Sequence, residues 1–501
     1  MEDCPNGDQG IGLRQGFDNP SPETSTPATD TLTHLITPII RFTLVILLRI
    51  GFLLIQIGSV PITNVNLILL QNILDFCWVN VVFIFIGTLI AYNGDTGDTL
   101  GLIGGGYWVG NESIDKEEII IGWQASVIAS AICTTCIVGR MHTLGSIILG
   151  IIMSGVLQPF IIHWTWTTNG WMAKNKIFNS NVYFRDYGGS GVIHIVGGLT
   201  GLIGCMVLGR RLLRLRDIDN ASISVGSAAT AFSGHLFIVM GLQTLLISHS
   251  SSSNNEKLKK RIPTLPVNSL IAISSCAIIV VGLHFIMRDP FNHWTVMRCI
   301  QALTAGAIIV SAGVDVYSPA ICLALGCIGG ILFYLSSKFI FRTALEDYCN
   351  IISMHIILAF FGSLVAPFFY DFTDEPSETS ASIWINFLWK IICLLCIILL
   401  IIIVMAPLFF LLNWIGLLRN RSEFLNHVRS LAVIQRTEPR SIVKRLFNVD
   451  DDSILVQPAI PGQEFEIISG ALSSKYNRTI TRFEIDAVND VRTQDDSTSS
   501  I

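Results

Sequence analysis

Long apolar runs, separated by short polar breaks, dominate this chain from about residue 36 to residue 414. A helix needs roughly 20 apolar residues to cross the hydrocarbon core of a bilayer. By that measure the runs fall near 36–58, 67–92, 117–139, 143–163, 190–209, 223–248, 266–287, 296–313, 317–340, 350–371 and 384–414. The pattern predicts an all-α polytopic membrane protein of eleven transmembrane helices, with its two ends on opposite sides. The first span carries Arg41 and Arg49 and the eighth carries Arg298, so these are the least uniformly apolar. The last run is long enough to tilt or to continue past the bilayer.

The flanks read differently. Residues 1–35 are rich in Pro, Ser, Thr and Asp and lack a basic start followed by an apolar core. They are expected to form a disordered tail rather than a secretory signal, leaving the first apolar helix to direct insertion. From 417 to 501 the chain is polar and mixed, and forms a second tail in which 459–476 is expected to hold some structure. The membrane domain is therefore 36–416.

Composition agrees: 51% of the 501 residues are hydrophobic and 14% charged, and the formal net charge of −5 gives no footing for nucleic acid. The twelve cysteines are scattered. Cys133 and Cys136 form a CxxC, but it lies within an apolar span and has no second pair, so packed thiols are expected rather than a metal or redox site. No phosphate loop or nucleophile motif is present, and Gly104 to Gly106 lie in a loop with no helix start behind them, so an enzyme is not indicated and no cofactor is implied.

One stretch concentrates the candidate chemistry: Asp186 to Arg211, DYGGSGVIHIVGGLTGLIGCMVLGRR. His194 sits in an apolar, glycine-rich span, where an ionisable group is costly and usually functional. The glycines leave small faces on which neighbouring helices can approach closely, and the closing arginines suit a cytoplasmic helix end. A second histidine, His355, lies in ALEDYCNIISMHIILAFFGSLVAPF, after the acidic Glu346 and Asp347. Either could be a helix-packing residue bonded to a carbonyl. For His163, His235 and His284 that packing reading is preferred.

These segments resemble the signatures of the ammonium transporter (Amt/Mep/Rh) superfamily, and are most similar to its plant and invertebrate Amt type. The resemblance covers roughly residues 40 to 420. It implies an eleven-helix, pseudo-symmetric inverted-repeat fold with the N-terminus outside and the C-terminus cytoplasmic. His194 and His355 match the two pore histidines, which in the family hydrogen-bond across a hydrophobic passage. His163-Trp164-Thr165-Trp166 followed by Gly170-Trp171 matches the end of the fourth helix. Trp166 would there hold ammonium by cation–π attraction, with Asp186 acting electrostatically from behind. The segment from Gln56 to Asp75 is similar to the family's link between its first two helices, with Gln56 in place of a glutamate; Asn72 and Asp75 are expected to brace the fold.

The departures are as specific. Val127 and Leu245 stand where the family places two stacked phenylalanines that close the outer vestibule, and His249 stands where it has a vestibule serine. The third helix is shorter by about two residues before Gly139-Arg140. Ile356 and Ile357 follow His355 where the family has glycines, which would crowd the pore wall. The tail opens with LLRNRSEFLNHVRSL, similar to the family's subunit-contact motif, and then diverges.

The resemblance implies ammonium or ammonia as the substrate, a multi-pass location, in the plasma membrane by expectation, and a homotrimer with one pore per subunit. A sequon at Asn111-Glu112-Ser113 favours the outside-N orientation, whereas Lys257, Lys259, Lys260 and Arg261 would then lie outside, against the usual bias. Sequons at Asn420 and Asn477 would be cytoplasmic and silent. Two other readings fit the residues: a non-conducting ammonium sensor or structural relative, suggested by the lost gate and altered tail, and a neutral-gas channel of the Rh kind.

Overall fold

The computed structural model describes residues 27–59, 65–92, 101–105, 116–177, 180–209, 227–247, 264–343, 345, 347–370, 382–420, 432–435 and 455–458. The sequon at Asn111, the basic cluster from Lys257 to Arg261, His249, Glu346 and the segment 459–476 lie outside the described residues.

In chain order the helices are α1 (Pro27–Ser59), α2 (Val65–Ala91), α3 (Lys116–Cys136), α4 (Thr143–Trp166), α5 (Ser190–Leu208), α6 (Ala228–Ile247), α7 (Thr264–Ile286), α8 (His293–Gly313), α9 (Pro319–Arg342), α10 (Ser353–Phe369) and α11 (Ile383–Trp414). Among the described residues ten are long and apolar enough to cross a membrane, and α10 is a shorter apolar helix. The run expected at 350–371 is trimmed because Asn350 takes a left-handed backbone, φ 53°, ahead of the helix, and Pro367 stands in a 3-10 turn at its end.

Helix α1 starts earlier than the apolar run does, at Pro27. Proline is pre-organised for the first helical turn, and each residue added to an existing helix gains a hydrogen bond without a new nucleus. Residues 27–35, expected to belong to the tail, are therefore helical. A hairpin not anticipated from the sequence joins α4 to α5: β1 (Lys174–Ile177) pairs antiparallel with β2 (Ser180–Tyr183), Lys174 opposite Tyr183. In the polar C-terminal part, β3 (Ala432–Gln435) pairs antiparallel with β4 (Leu455–Pro458).

The charges inside the spans are paired, which is what makes them tolerable at that depth. Arg41 donates to Ile247 O at 3.2 Å. Arg49 meets Asp75 at 2.9 Å and donates to Asn72 O. Asp75 also accepts from Ser130 of α3 at 2.7 Å, and Asn72 donates to Gln56, so Asn72 and Asp75 tie α1, α2 and α3 together. Arg298 lies over the Phe341 ring.

Helices α3 and α5 form the buried centre. Gly197 and Gly201 make their contact possible: a Cβ on Gly197 would stand 2.6 Å from Ala129 O, and one on Gly201 2.6 Å from Cys136 Cβ. Cys133 and Cys136 are free, buried thiols, and Cys136 Sγ lies 3.5 Å from Cys205 Sγ. Beyond the end of α3, Arg140 turns inward and donates to Cys136 O, Gly209 O and Leu345 O.

Candidate functional site

The two histidine helices begin with the same local design. Asp186 stands before a residue with left-handed backbone, Gly189 at φ 74°, and then a π-helical turn, Ser190–Ile195, that carries His194. Asp347 stands before Asn350, φ 53°, and the π-helical turn Ser353–Leu358, which carries His355. Each carboxylate caps the helix that follows. Asp186 Oδ2 accepts from Gly191 N at 2.7 Å and Val192 N at 3.0 Å; Asp347 Oδ2 accepts from Ile352 N at 2.7 Å. Negative charge is favoured at these helix starts, where backbone N–H groups lack intrahelical partners. π-Turns widen the helix locally and recur at functional sites.

The result is that two imidazoles from separate helices meet. His194 Nδ1 and His355 Nδ1 share a hydrogen bond at 3.0 Å, with ring centroids 5.0 Å apart. Both residues are about 1% exposed, and neither Nε2 has a hydrogen-bond partner. Phe52 of α1 lies against the His355 ring at 6.3 Å. When both rings are neutral, the one that donates through Nδ1 keeps a bare Nε2, and the other carries its proton on Nε2. The pair thus presents one acceptor and one donor to a small polar guest.

A small cavity reaches His194. Leu242, Leu245 and Leu246 of α6 and Val310 of α8 contribute to its wall, together with Ser311 and Gly188. Leu245 therefore stands beside His194. Val127 is fully buried in α3 and is not part of that wall. The neighbouring Gln124 accepts from Thr244 of α6 at 2.9 Å, which fixes the register of α3 against α6.

Trp166, at the last turn of α4, is half-buried and donates through Nε1 to Asp186 O at 3.1 Å. The structure thereby links Trp166 to Asp186, and Asp186 to the start of the helix whose His194 meets His355. A further residue belongs to this group: Lys390 of α11, which is 1% exposed. Its ammonium donates to Arg185 O at 2.6 Å and sits 3.9 Å from the centroid of the Phe184 ring. Burial pushes the Asp186 carboxyl above its ordinary value, and the Lys390 charge and the backbone hydrogen bonds oppose that push. A lone lysine within the most apolar span is the signal by which it could have been found.

The other histidines are engaged elsewhere. His163 Nδ1 lies 2.9 Å from Ala91 O, His235 Nδ1 2.8 Å from Thr304 Oγ1, and His284 Nδ1 2.6 Å from Asp289 Oδ2. Ile356 and Ile357 are half-buried, and Ile356 packs against Gly198, whose missing side chain gives it room.

A family model described as Ammonium Transporter Family matches residues 36–425. "Putative ammonium transporter 1" of Caenorhabditis elegans is 25% identical over 405 residues, covering 76% of this chain and 74% of that protein. "Ammonium transporter 1 member 3" of Solanum lycopersicum is 25% identical over 411 residues, covering 76% and 87%. Among solved structures, a "Sensor Amt Protein" superposes with a TM-score of 0.68 at 20% identity, covering 79% of this chain and 96% of that one. Saccharomyces cerevisiae Mep2 superposes with a TM-score of 0.64 at 13% identity, covering 85% and 94%. These structural likenesses show a common fold.

Proposed function

This chain belongs to the Ammonium Transporter Family, and from that premise we propose that it moves ammonium across a membrane through the passage in which His194 and His355 meet. It is a multi-pass membrane protein whose relatives are named as ammonium transporters. The observation that carries the route is the 3.0 Å contact between two buried imidazoles on different helices, each with an unpartnered Nε2.

In this reading the work divides by position. Trp166 and Asp186 recruit ammonium at the outer end. The indole face attracts a cation, and Asp186 adds negative potential while its own carbonyl holds the indole nitrogen. Apolar surroundings disfavour a charged guest, so ammonium passes its proton to water at the outer end before ammonia enters the passage. The two Nε2 atoms then offer ammonia a donor and an acceptor in place of water. Leu245 and Val127 stand at the positions of the gate, and an aliphatic side chain closes the cavity beside His194 less fully than a phenyl ring.

We take the membrane domain to cross the bilayer eleven times, with the N-terminus outside and the C-terminal part in the cytoplasm, in the plasma membrane, as a homotrimer with one passage per subunit. Methylammonium uptake in cells lacking their own ammonium transporters tests the reading. Wild-type protein should support uptake, and His194→Ala and His355→Ala at equal surface amounts should each lower it at least tenfold. Wild-type protein that reaches the surface yet supports no uptake would favour a non-conducting sensor. Current on ammonium addition distinguishes net charge movement from a neutral flux, which carries none.

A further inference from the structure

The buried histidines outside the pair differ in what their Nδ1 atoms face. For His163 it is a backbone carbonyl at 2.9 Å, with the Thr167 hydroxyl beside it at 3.2 Å, and for His284 a carboxylate. Neither the carbonyl nor the carboxylate donates, and the Thr167 hydroxyl gives its proton to His163 O, so each ring keeps its proton on Nδ1. His235 is fully buried in α6 and faces a hydroxyl, Thr304 Oγ1, at 2.8 Å, while its Nε2 has no partner. A hydroxyl both donates and accepts. His235 can therefore present either a donor or an acceptor at Nε2, as the His194–His355 pair does.

Its position continues the path. The cavity at His194 is walled by Leu242 and Leu245 of α6 and by Ala307 and Val310 of α8. His235 precedes Leu242 by about two helical turns, roughly 10 Å along α6, and Thr304 precedes Ala307 by about one turn of α8. Both therefore lie beyond the cavity-lining residues of their helices, toward the N-terminal ends of α6 and α8. The His235 ring is near enough to His355 for the two to interact electrostatically. The packing agrees. Gly234 meets Gly51 of α1, where a Cβ would stand 2.7 Å from Gly51 O, and the next residue of α1, Phe52, lies against the His355 ring.

We propose that His235 is a third imidazole of the conduction path, hydrogen-bonding ammonia through Nε2 as it leaves His355. The proposal rests on the twin-histidine reading above and adds a station that Thr304 orients.

Methylammonium uptake by the full-length chain, corrected for surface amount, tests it. His235→Leu should lower uptake about tenfold. His235→Gln, whose amide again offers a donor and an acceptor, should retain a larger share, and Thr304→Val should fall between them. Wild-type uptake by His235→Leu, with His194→Ala and His355→Ala inactive, would overturn the third station and leave the pair standing. Unaltered uptake in all three variants would remove the pair, and the third station with it. Should His235→Leu fail to reach the membrane, a structure of the unaltered protein grown in ammonium sulfate decides. Density within hydrogen-bond distance of His235 Nε2 supports the station. Density beside His194 and His355 with none at His235 overturns it.

Discussion

Gly198 and Ile356 are matched in size where α5 meets α10: a Cβ added to Gly198 would stand 2.9 Å from Ile356 Cγ1 and 3.1 Å from both the Cβ and the backbone carbon of His355. Two of those three atoms belong to His355 itself and cannot move without carrying the imidazole with them. Gly198→Ala should thus cost about 1–3 kcal/mol through overpacking and lower methylammonium uptake more than it lowers protein amount. In the double variant Gly198→Ala/Ile356→Gly the bulk returns on one side as it leaves the other, and uptake should recover in part. Equal uptake by wild type and Gly198→Ala would show that the His355 helix is free to shift.

Asp186 and Lys390 are buried together although 204 positions separate them in the chain. The Asp186 carboxylate accepts two backbone N–H bonds at the start of the His194 helix, and Lys390 balances its charge. Asp186→Asn removes the negative charge that the buried Lys390 ammonium faces and leaves that ammonium with only the Arg185 carbonyl and the Phe184 ring, so it should destabilise the protein. The companion Lys390→Met alone leaves the carboxylate unbalanced. Asp186→Asn combined with Lys390→Met should be milder than the sum of the two singles, by roughly 0.5–3 kcal/mol of coupling. Thermal unfolding of the purified variants in detergent checks this, and strict additivity would mean that the two charges do not interact.

Much of this arrangement is legible in the linear chain. The apolar runs set the helices, and the Asp186–His194 and Asp347–His355 spacings repeat with a left-handed residue at the same place in each. Those are local patterns, and local patterns survive translation into structure. The hairpin at Lys174–Tyr183 and the π-turns leave no such mark, because each depends on how α4, α5 and α10 are packed rather than on residue type. Lys390 is conspicuous in its span, yet its partners come from residues 184–186, and nothing in periodicity connects them. His235 shows the same limit from the other side: as a lone histidine on an apolar helix it reads as packing, and only the hydroxyl opposite it and the empty Nε2 change that reading.

Asp289, between α7 and α8, gathers three donors: Lys338 Nζ at 2.7 Å, Tyr334 OH at 2.8 Å and His284 Nδ1 at 2.6 Å. Burial alone would raise its carboxyl, but these hydrogen bonds outweigh that and hold it down to about 2. A carboxylate whose folded value lies below its unfolded value of roughly 3.9 contributes stability that is present above the unfolded value and is lost as pH falls through the folded one. Asp289→Asn should therefore destabilise the protein by about 1–2 kcal/mol near neutral pH, and the difference from wild type should shrink as pH falls from about 4 toward 2. A difference that stays constant over that interval would remove the ionised carboxylate as its source.

Leu245 and Val127 differ in their surroundings in a way that substitution can read. Leu245 borders the cavity at His194, so Leu245→Phe has space to turn into, and the ring should narrow the approach to the pair. Val127 is fully buried with no share in the cavity wall. There a phenyl group must displace packed neighbours, at a cost of about 1–3 kcal/mol. Leu245→Phe should accordingly reach the membrane in normal amount and change the rate of methylammonium uptake, whereas Val127→Phe should mainly reduce the amount of folded protein. Surface labelling alongside uptake resolves the two effects. If Val127→Phe instead folds normally and alters only the rate, then α3 yields enough for a ring at 127 to reach the passage, and the gate could be rebuilt from both sides.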